Sequence, residues 1–406
     1  MKFIHAADIH LGSPFKGLKD IDLKVKQRVL DATGEAFKQL ISNAIRDQVD
    51  FVLIVGDLFD NANPDLNSIN LAIDQFEKLQ DAGILVFLSF GNHDFLNNRI
   101  PVNIFPKNVN VFNADISNKI IELSTGERIG IAGFSYDKQA VTADMASLFP
   151  IRDSKVDFQI GMLHGSMDGI NAPESHYAPF TKQELLNKNY DYWALGHIHQ
   201  RQILNEMPII QYSGNIQGRH VNENGKRGYY LLETNSSGID SKFVETSRII
   251  WKRLAYGITN EKDTREIIEH MITKVESSKE DVFQIIDLSL ENADQLTRET
   301  VEQLSNGLVR DRVQAALGID DFWIHKIKIN FKTQTLQFSE LDQSFWSEAQ
   351  KAVFKPAEIN SVAGKLFQNQ FIAEEYLSDE QINELYNDVK VKLIEENVFG
   401  ENTNED

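Results

Sequence analysis

Five short apolar runs in this chain end alike, on polar residues that carry oxygen or nitrogen donors. The run Phe3 to Ala7 leads into Asp8 and His10, and "FVLIVGDLFD" ends on Asp57 and Asp60. "GILVFLSFGNHD" ends on Asn92, His93 and Asp94, "FQIGMLHG" on His164, and "YDYWALGHIH" on His197 and His199. Runs this short and this apolar read as buried strands. Between the first two, Val25, Val29, Phe37, Leu40, Ile41 and Ile45 recur at helical spacing. "ERIGIAGF" adds a strand, and "RQILNEMPIIQYSGN" and "KRGYYLLET" look like closing hairpin strands. Strands alternating with helices up to about residue 245 imply a layered α/β domain with buried sheet.

In such a sheet, ligands bind outside the carboxyl ends of the strands. The donors Asp8, His10, Asp57, Asn92, His164, His197 and His199 therefore converge on one rim. His197 and His199 stand one residue apart, so an extended segment aims both imidazoles to one side. Taken singly, "DIH" is a turn and "GDLFD" a helix entry with acidic capping. Taken together, the set asks for a common cause. The chain has no cysteine, which excludes disulfides and thiolate metal sites. Carboxylate, imidazole and amide suit harder divalent ions. Two metals about 3.5–4 Å apart need a shared ligand besides separate ones. Asp57, reached from a stiff strand through Gly56, is the natural bridge.

"DIH", "GDLFD", "GNHD", "LHG" and "GHIH", in this order and on these strand ends, resemble the full motif set of the calcineurin-like metallophosphoesterases. The likeness covers roughly residues 1–220. "FIHAADIHLGSPF" and "GDLFDNANP" are most similar to the SbcD-like DNA repair exonuclease family, and "YSGNIQGRHVNE" to its YhaO-type members. The resemblance implies a sandwich of two mixed sheets flanked by helices. It implies one metal held by Asp8, His10, Asp57 and His199, and another by Asp57, Asn92, His164 and His197. Manganese is the expected pair, with iron or zinc as alternatives. His93 matches the family's non-ligand catalytic histidine; Asp60 stands where other branches carry a histidine and shares its leaving-group role, and Asp94 is expected to orient His93. In "QGRH", Arg219 and His220 either touch substrate or simply build the loop.

Beyond this domain, residues 248–335 read as a small α/β cap and 336–406 as a helical, acidic region. In the latter, Ser378 and Gln381 form a capping box ahead of an apolar stripe from Ile382 to Leu393. His5 reads as packed within the first strand, His325 as a core residue and His270 as exposed. The net charge of -19 opposes non-specific binding to nucleic acid, so DNA contact needs local cations or a basic partner. No ATP-binding loop is present: "AGKL" has Gly364 and Lys365, but Ile359 and Leu366 replace the glycine and the hydroxyl. The family resemblance thus implies an SMC-like or RecF-like ATPase partner, with homodimerisation by analogy. No apolar run is long enough for a signal peptide or a membrane span, so a cytoplasmic enzyme is expected. A phosphoesterase for small substrates such as cyclic nucleotides, or a non-catalytic scaffold, are the competing readings.

Overall fold

The computed structural model describes residues 1–14, 21–96, 102–168, 177–236, 238–259, 263–293, 296–305, 307–330 and 351–364, together with 348, 382, 385 and 389. Two six-stranded sheets dominate it. The first runs β12 (Gly238–Glu245), β11 (Gly228–Asn235), β1 (Lys2–Ala7), β2 (Phe51–Val55), β3 (Leu85–Ser89), β4 (Val109–Val111). Its β1 to β4 are mutually parallel, while β11 closes it by pairing antiparallel to β1 and β12. The second runs β5 (Ser117–Glu122), β6 (Arg128–Gly133), β7 (Phe158–His164), β8 (Tyr192–Gly196), β10 (Ile209–Tyr212), β9 (Gln202–Glu206). There β6, β7, β8 and β10 are parallel and the two edges antiparallel.

Side chains alternate across each strand, so each sheet has two faces to cover. Ile4, Ala6, Val52, Ile54, Val86 and Leu88 meet the helices α1 (Leu23–Arg46) and α2 (Leu66–Asp81) through Phe37, Leu40, Ile41, Phe76 and Leu79. The intervening residues Phe3, Ala7, Phe51, Leu53, Val55 and Phe87 meet Ile129, Ile131, Ile160, Met162, Tyr192 and Ala194 of the second sheet. On that sheet's far side, Leu163, Trp193, Leu195 and Ile210 are covered by Phe149, Tyr190, Phe180 and Leu185, with Tyr190 stacked on Trp193 at 4.8 Å. The result is a sheet sandwich flanked by helix and loop. Both faces of the parallel strands are buried, which is why their sequences are apolar throughout rather than alternating. Local signals set the helix starts: Asp22 accepts from the Lys24 N–H ahead of α1, and Asp65 from those of Asn67 and Ser68 ahead of α2.

The chain divides into two compact units. The first holds residues 1–253, 279–286 and 319–325. Within it Ile249, Trp251, Phe283, Ile285 and Trp323 pack on Val25, Val29 and Ala32 of α1. The second holds 254–278, 287–318 and 326–406. Its helices α3 (Thr264–Glu276), α4 (Arg298–Ser305) and α5 (Leu308–Leu317) bury Ile267, Met271, Val275, Val301, Val309 and Val313. A third sheet, β13 (Ile249–Gly257), β14 (Phe283–Glu291), β15 (Phe322–Asn330), contributes residues to both units. Helix Pro356–Ala363 is described within the expected helical C-terminal region. The Ser378–Gln381 capping box, and most of the apolar stripe after it, lie outside the described residues; of the stripe, Ile382 is buried and Leu385 and Val389 are exposed. No helix among the described residues is long and apolar enough to cross a membrane.

His5 lies in the seam between the sheets, fully buried, with Nδ1 2.7 Å from the Tyr192 hydroxyl and Nε2 3.1 Å from the Leu195 carbonyl. His325 is half-buried, its ring 5.9 Å from that of Trp251, and His270 is exposed. Burial pushes the His5 pKa down to about 3, against the opposing pull of the Leu195 carbonyl. In the unfolded chain it titrates near ~6.5. Below that value the unfolded state binds a proton that the folded state refuses, so stability is lost as pH falls from 6.5 towards 3. One proton gives a slope of at most about 1.4 kcal/mol per pH unit. His5→Gln should flatten the acid limb of stability measured by urea unfolding across this range. Parallel limbs for variant and parent would refute the assignment.

Candidate metal centre

At the carboxyl ends of the parallel strands the backbone turns sharply. Asp8, His10, Asp57 and His197 have φ values of 52°, 53°, 51° and 95°, in the left-handed region that side chains disfavour. The turns aim consecutive side chains inward rather than along the strand. Two motif glycines are there to leave room. A Cβ at Gly56 would lie 1.9 Å from His164 Nδ1, and one at Gly91 2.3 Å from Asp57 Oδ1. Any larger residue would push a donor out of place.

The seven expected metal ligands come together, all but His199 less than a tenth exposed. His10 Nε2 and His199 Nε2 stand 3.2 Å apart, with Asp8 in the same group. Asn92 Oδ1 lies 2.9 Å from His164 Nε2 and 3.1 Å from His197 Nδ1. Asp57 Oδ2 is 3.8 Å from His10 Nε2 and 3.5 Å from His164 Nε2, so it touches both halves. Asp8 leans towards both as well, grouping with Asp57 and His164 besides His10 and His199.

Behind the rings sit the atoms that orient them. His164 Nδ1 is 3.1 Å from the Val55 carbonyl, His93 Nδ1 2.9 Å from the Asp60 carbonyl, and His10 Nδ1 3.3 Å from Asp60 Oδ1. His199 Nδ1 is 2.6 Å from Glu223 Oε1. The carbonyls of Val55 and Asp60 and the Glu223 carboxylate accept the Nδ1 protons of His164, His93 and His199, which turns each Nε2 into the centre, whereas His10 Nδ1 makes no hydrogen bond among the described residues. Acceptor then faces acceptor where the His164 Nε2 meets the Asn92 oxygen, and the His199 Nε2, an acceptor as well, lies against the His10 ring nitrogen. Such contacts are repulsive unless positive charge lies between them. The donor set therefore fits a pair of divalent cations. The electrostatics agree. Burial opposes charge on His164, yet Asp57 and Asp8 hold its pKa up to about 9. These carboxylates stabilise positive charge at this spot whatever carries it. Burial would also raise Asp57, but the facing His164 and His93 keep it well below the usual carboxylate range. Burial, and then Arg219, push His10 down to about 3, leaving it a neutral donor.

The remaining sequence candidates take different places. His93 is half-buried, its ring 4.8 Å from that of His10, and its backbone N–H donates to Asp57. Its orientation comes from the Asp60 carbonyl rather than from Asp94, the expected partner. Asp94 instead accepts from the backbone N–H groups of Phe59 and Gly91, tying the β2 and β3 loops together. Burial and Asp57 raise its pKa to about 8. Asp60 resists burial's upward pull through His10 and Arg219, which hold it below the usual range. Arg219 donates to Asp60 Oδ1 at 2.7 Å and to Glu223 Oε1 at 3.2 Å, so its guanidinium faces the protein's own carboxylates. His220 is at the rim, its Nε2 3.4 Å from Glu223.

Glu223 is the functional residue that sequence reading missed. It is buried and also accepts from Asn215 and the Arg219 backbone N–H. Nothing in "GRHVNE" distinguishes this carboxylate from a surface one; only its hydrogen bonds do.

The calcineurin-like phosphoesterase family model matches residues 1–201. These residues are a calcineurin-like phosphoesterase domain. The chain is 38% identical over 271 residues to metallophosphoesterase YhaO of Bacillus subtilis, covering 66% of each chain, just short of two thirds. It is 28% identical to the DNA double-strand break repair protein Mre11 of Methanocaldococcus jannaschii, over 69% of this chain and 74% of that one. The protein of the same name from Saccharolobus solfataricus is 25% identical over 90% of this chain and 98% of its own. The domain's family uses paired divalent metals, as its donor set here suits.

Replacing a hydrogen-bond partner behind a metal-binding histidine typically costs 10–100-fold in metal affinity or activity. Glu223→Gln should therefore weaken manganese binding about tenfold or more by titration calorimetry, with the fold retained by circular dichroism.

Proposed function

We propose that this phosphoesterase domain is a manganese-dependent DNA exonuclease of repair, working in the cytoplasm with an SMC-like or RecF-like ATPase subunit. The observation that carries the hydrolytic part is the inward aim of His164 and His199, each fixed by an oxygen behind its ring. The names of the archaeal relatives support the DNA part. Asp8, His10, Asp57 and His199 would hold one cation, and Asp57, Asn92, His164 and His197 the other. When bound, two such cations neutralise a phosphodiester and make water nucleophilic near neutral pH.

The protein's own groups supply the rest. Asp8, Asp57 and Asn92 set the charge and spacing of the rim, which by itself repels phosphate. His93 keeps Nδ1 engaged with the Asp60 carbonyl, leaving Nε2 to hold a proton for the departing oxygen. Asp60, held ionised, is unsuited to donate that proton; it steadies His10 and Arg219 instead. Leaving-group chemistry thus falls to His93 alone. Arg219, engaged by two carboxylates, braces the centre, and His220 is the better placed of the pair to meet substrate.

End-labelled duplex incubated with manganese should be shortened progressively, while a cyclic nucleotide should survive. The reverse result would make this a small-substrate enzyme. His93→Ala should lower kcat by about 10²–10⁴ while manganese binding is kept. Asp57→Ala should lose both. A His93→Ala protein as active as the parent would sink the mechanism.

A further inference from the structure

Immediately beyond His199 the surface carries cations that the metal centre does not use. A cleft of about 430 Å³ is lined by Gln200, Arg201, Asn224, Lys226, Arg227 and Tyr230, among others. That volume suits a nucleotide-sized group. Its three cations differ. Lys226 is neutralised, with Nζ 3.1 Å from Glu245 and 3.0 Å from Glu280. Arg227 is buried and donates to the carbonyls of His199, Glu223 and Asn224, none of which is charged. Arg201 is exposed, its guanidinium carbon 3.5 Å from the centre of the Phe243 ring, and no carboxylate among the described residues pairs with it. The aromatic face holds the guanidinium in place while leaving its N–H donors free.

Two unneutralised guanidiniums beside one cleft are unexpected in a chain of net charge -19. Burying a cation without an anion is costly, and Glu223, whose charge acts on Arg227, is already shared by His199, Asn215 and Arg219. A bound anion would relieve both. The cleft begins at the residue after His199, and Arg227 in its wall bonds the backbone carbonyl of His199.

We propose that this cleft is a subsite for a phosphodiester of the substrate strand next to the one being cut, with Arg201 as its principal contact. It rests on the DNA reading given above. Arg201 supplies a bidentate donor fork, Gln200 and Asn224 neutral donors, and Arg227 the field behind them. The subsite answers how an acidic chain holds an acidic polymer: its contact is local, while the remaining surface repels.

The test uses the manganese-loaded full chain and a fluorescein-labelled, single-stranded DNA oligonucleotide with hydrolysis-resistant phosphorothioate linkages. Anisotropy is followed from low to high salt. Arg201→Gln should weaken binding several-fold at low salt and make the log–log salt slope shallower by about 0.7, the loss of one phosphate contact on a single strand. Arg201→Lys, which keeps the charge, should keep most of the slope. Unchanged affinity and slope in Arg201→Gln would overturn the subsite and leave the nuclease reading standing. If the parent failed to bind the oligonucleotide yet still hydrolysed bis(p-nitrophenyl) phosphate, the subsite and the DNA reading would both fall, and only the phosphoesterase would remain.

Discussion

Acceptor atoms crowd the carboxyl ends of these strands closer than neutral groups tolerate, and the protein holds them there by what stands behind and beneath. Beneath are β1, β2, β7 and β8, buried on both faces. Their packing over-determines the turns at Asp8, His10, Asp57 and His197. Residues held in the left-handed region cost on the order of 1–3 kcal/mol each. Only a rigid sheet pair can carry four of them side by side. Behind are a carbonyl or carboxylate for each of His93, His164 and His199, which settle where each imidazole keeps its proton. A chain that paid less attention to either layer would present the same residues pointing elsewhere.

Much of this was legible in the residues. The apolar runs ending in polar pairs located the strands of the parallel core, and their order placed the donors on one rim. The helical spacing from Val25 to Ile45 falls within α1. What escaped was structure with weaker patterning. β4 and β5 are short or half-exposed, so their periodicity does not separate them from loops. β12 is an edge strand whose residues are all at least partly exposed, and "GIDSKFVE" carries few apolar residues to reveal it.

The site divides along the same line. Residues next to a strand end are fixed by it, so adjacency in sequence predicted adjacency in space for Asp57 or His197. Contacts spanning long separations were invisible. Glu223 reaches His199 across a loop that follows another strand, and Arg219 reaches Asp60 over a gap of 159 positions. Asp94 shows the converse error. Its neighbour in sequence is His93, but its oxygens face away, towards the backbone of two loops.

The ion pairs of Arg219 have a mechanical side. Asp60 follows β2 in the first sheet, whereas Arg219 and Glu223 follow β10 in the second. The guanidinium is thus a crossbar bolted to both lips of the opening. Two stretches of chain that never pair as strands are thereby tied at one point, and the spacing of the loops around the centre is set by that single side chain.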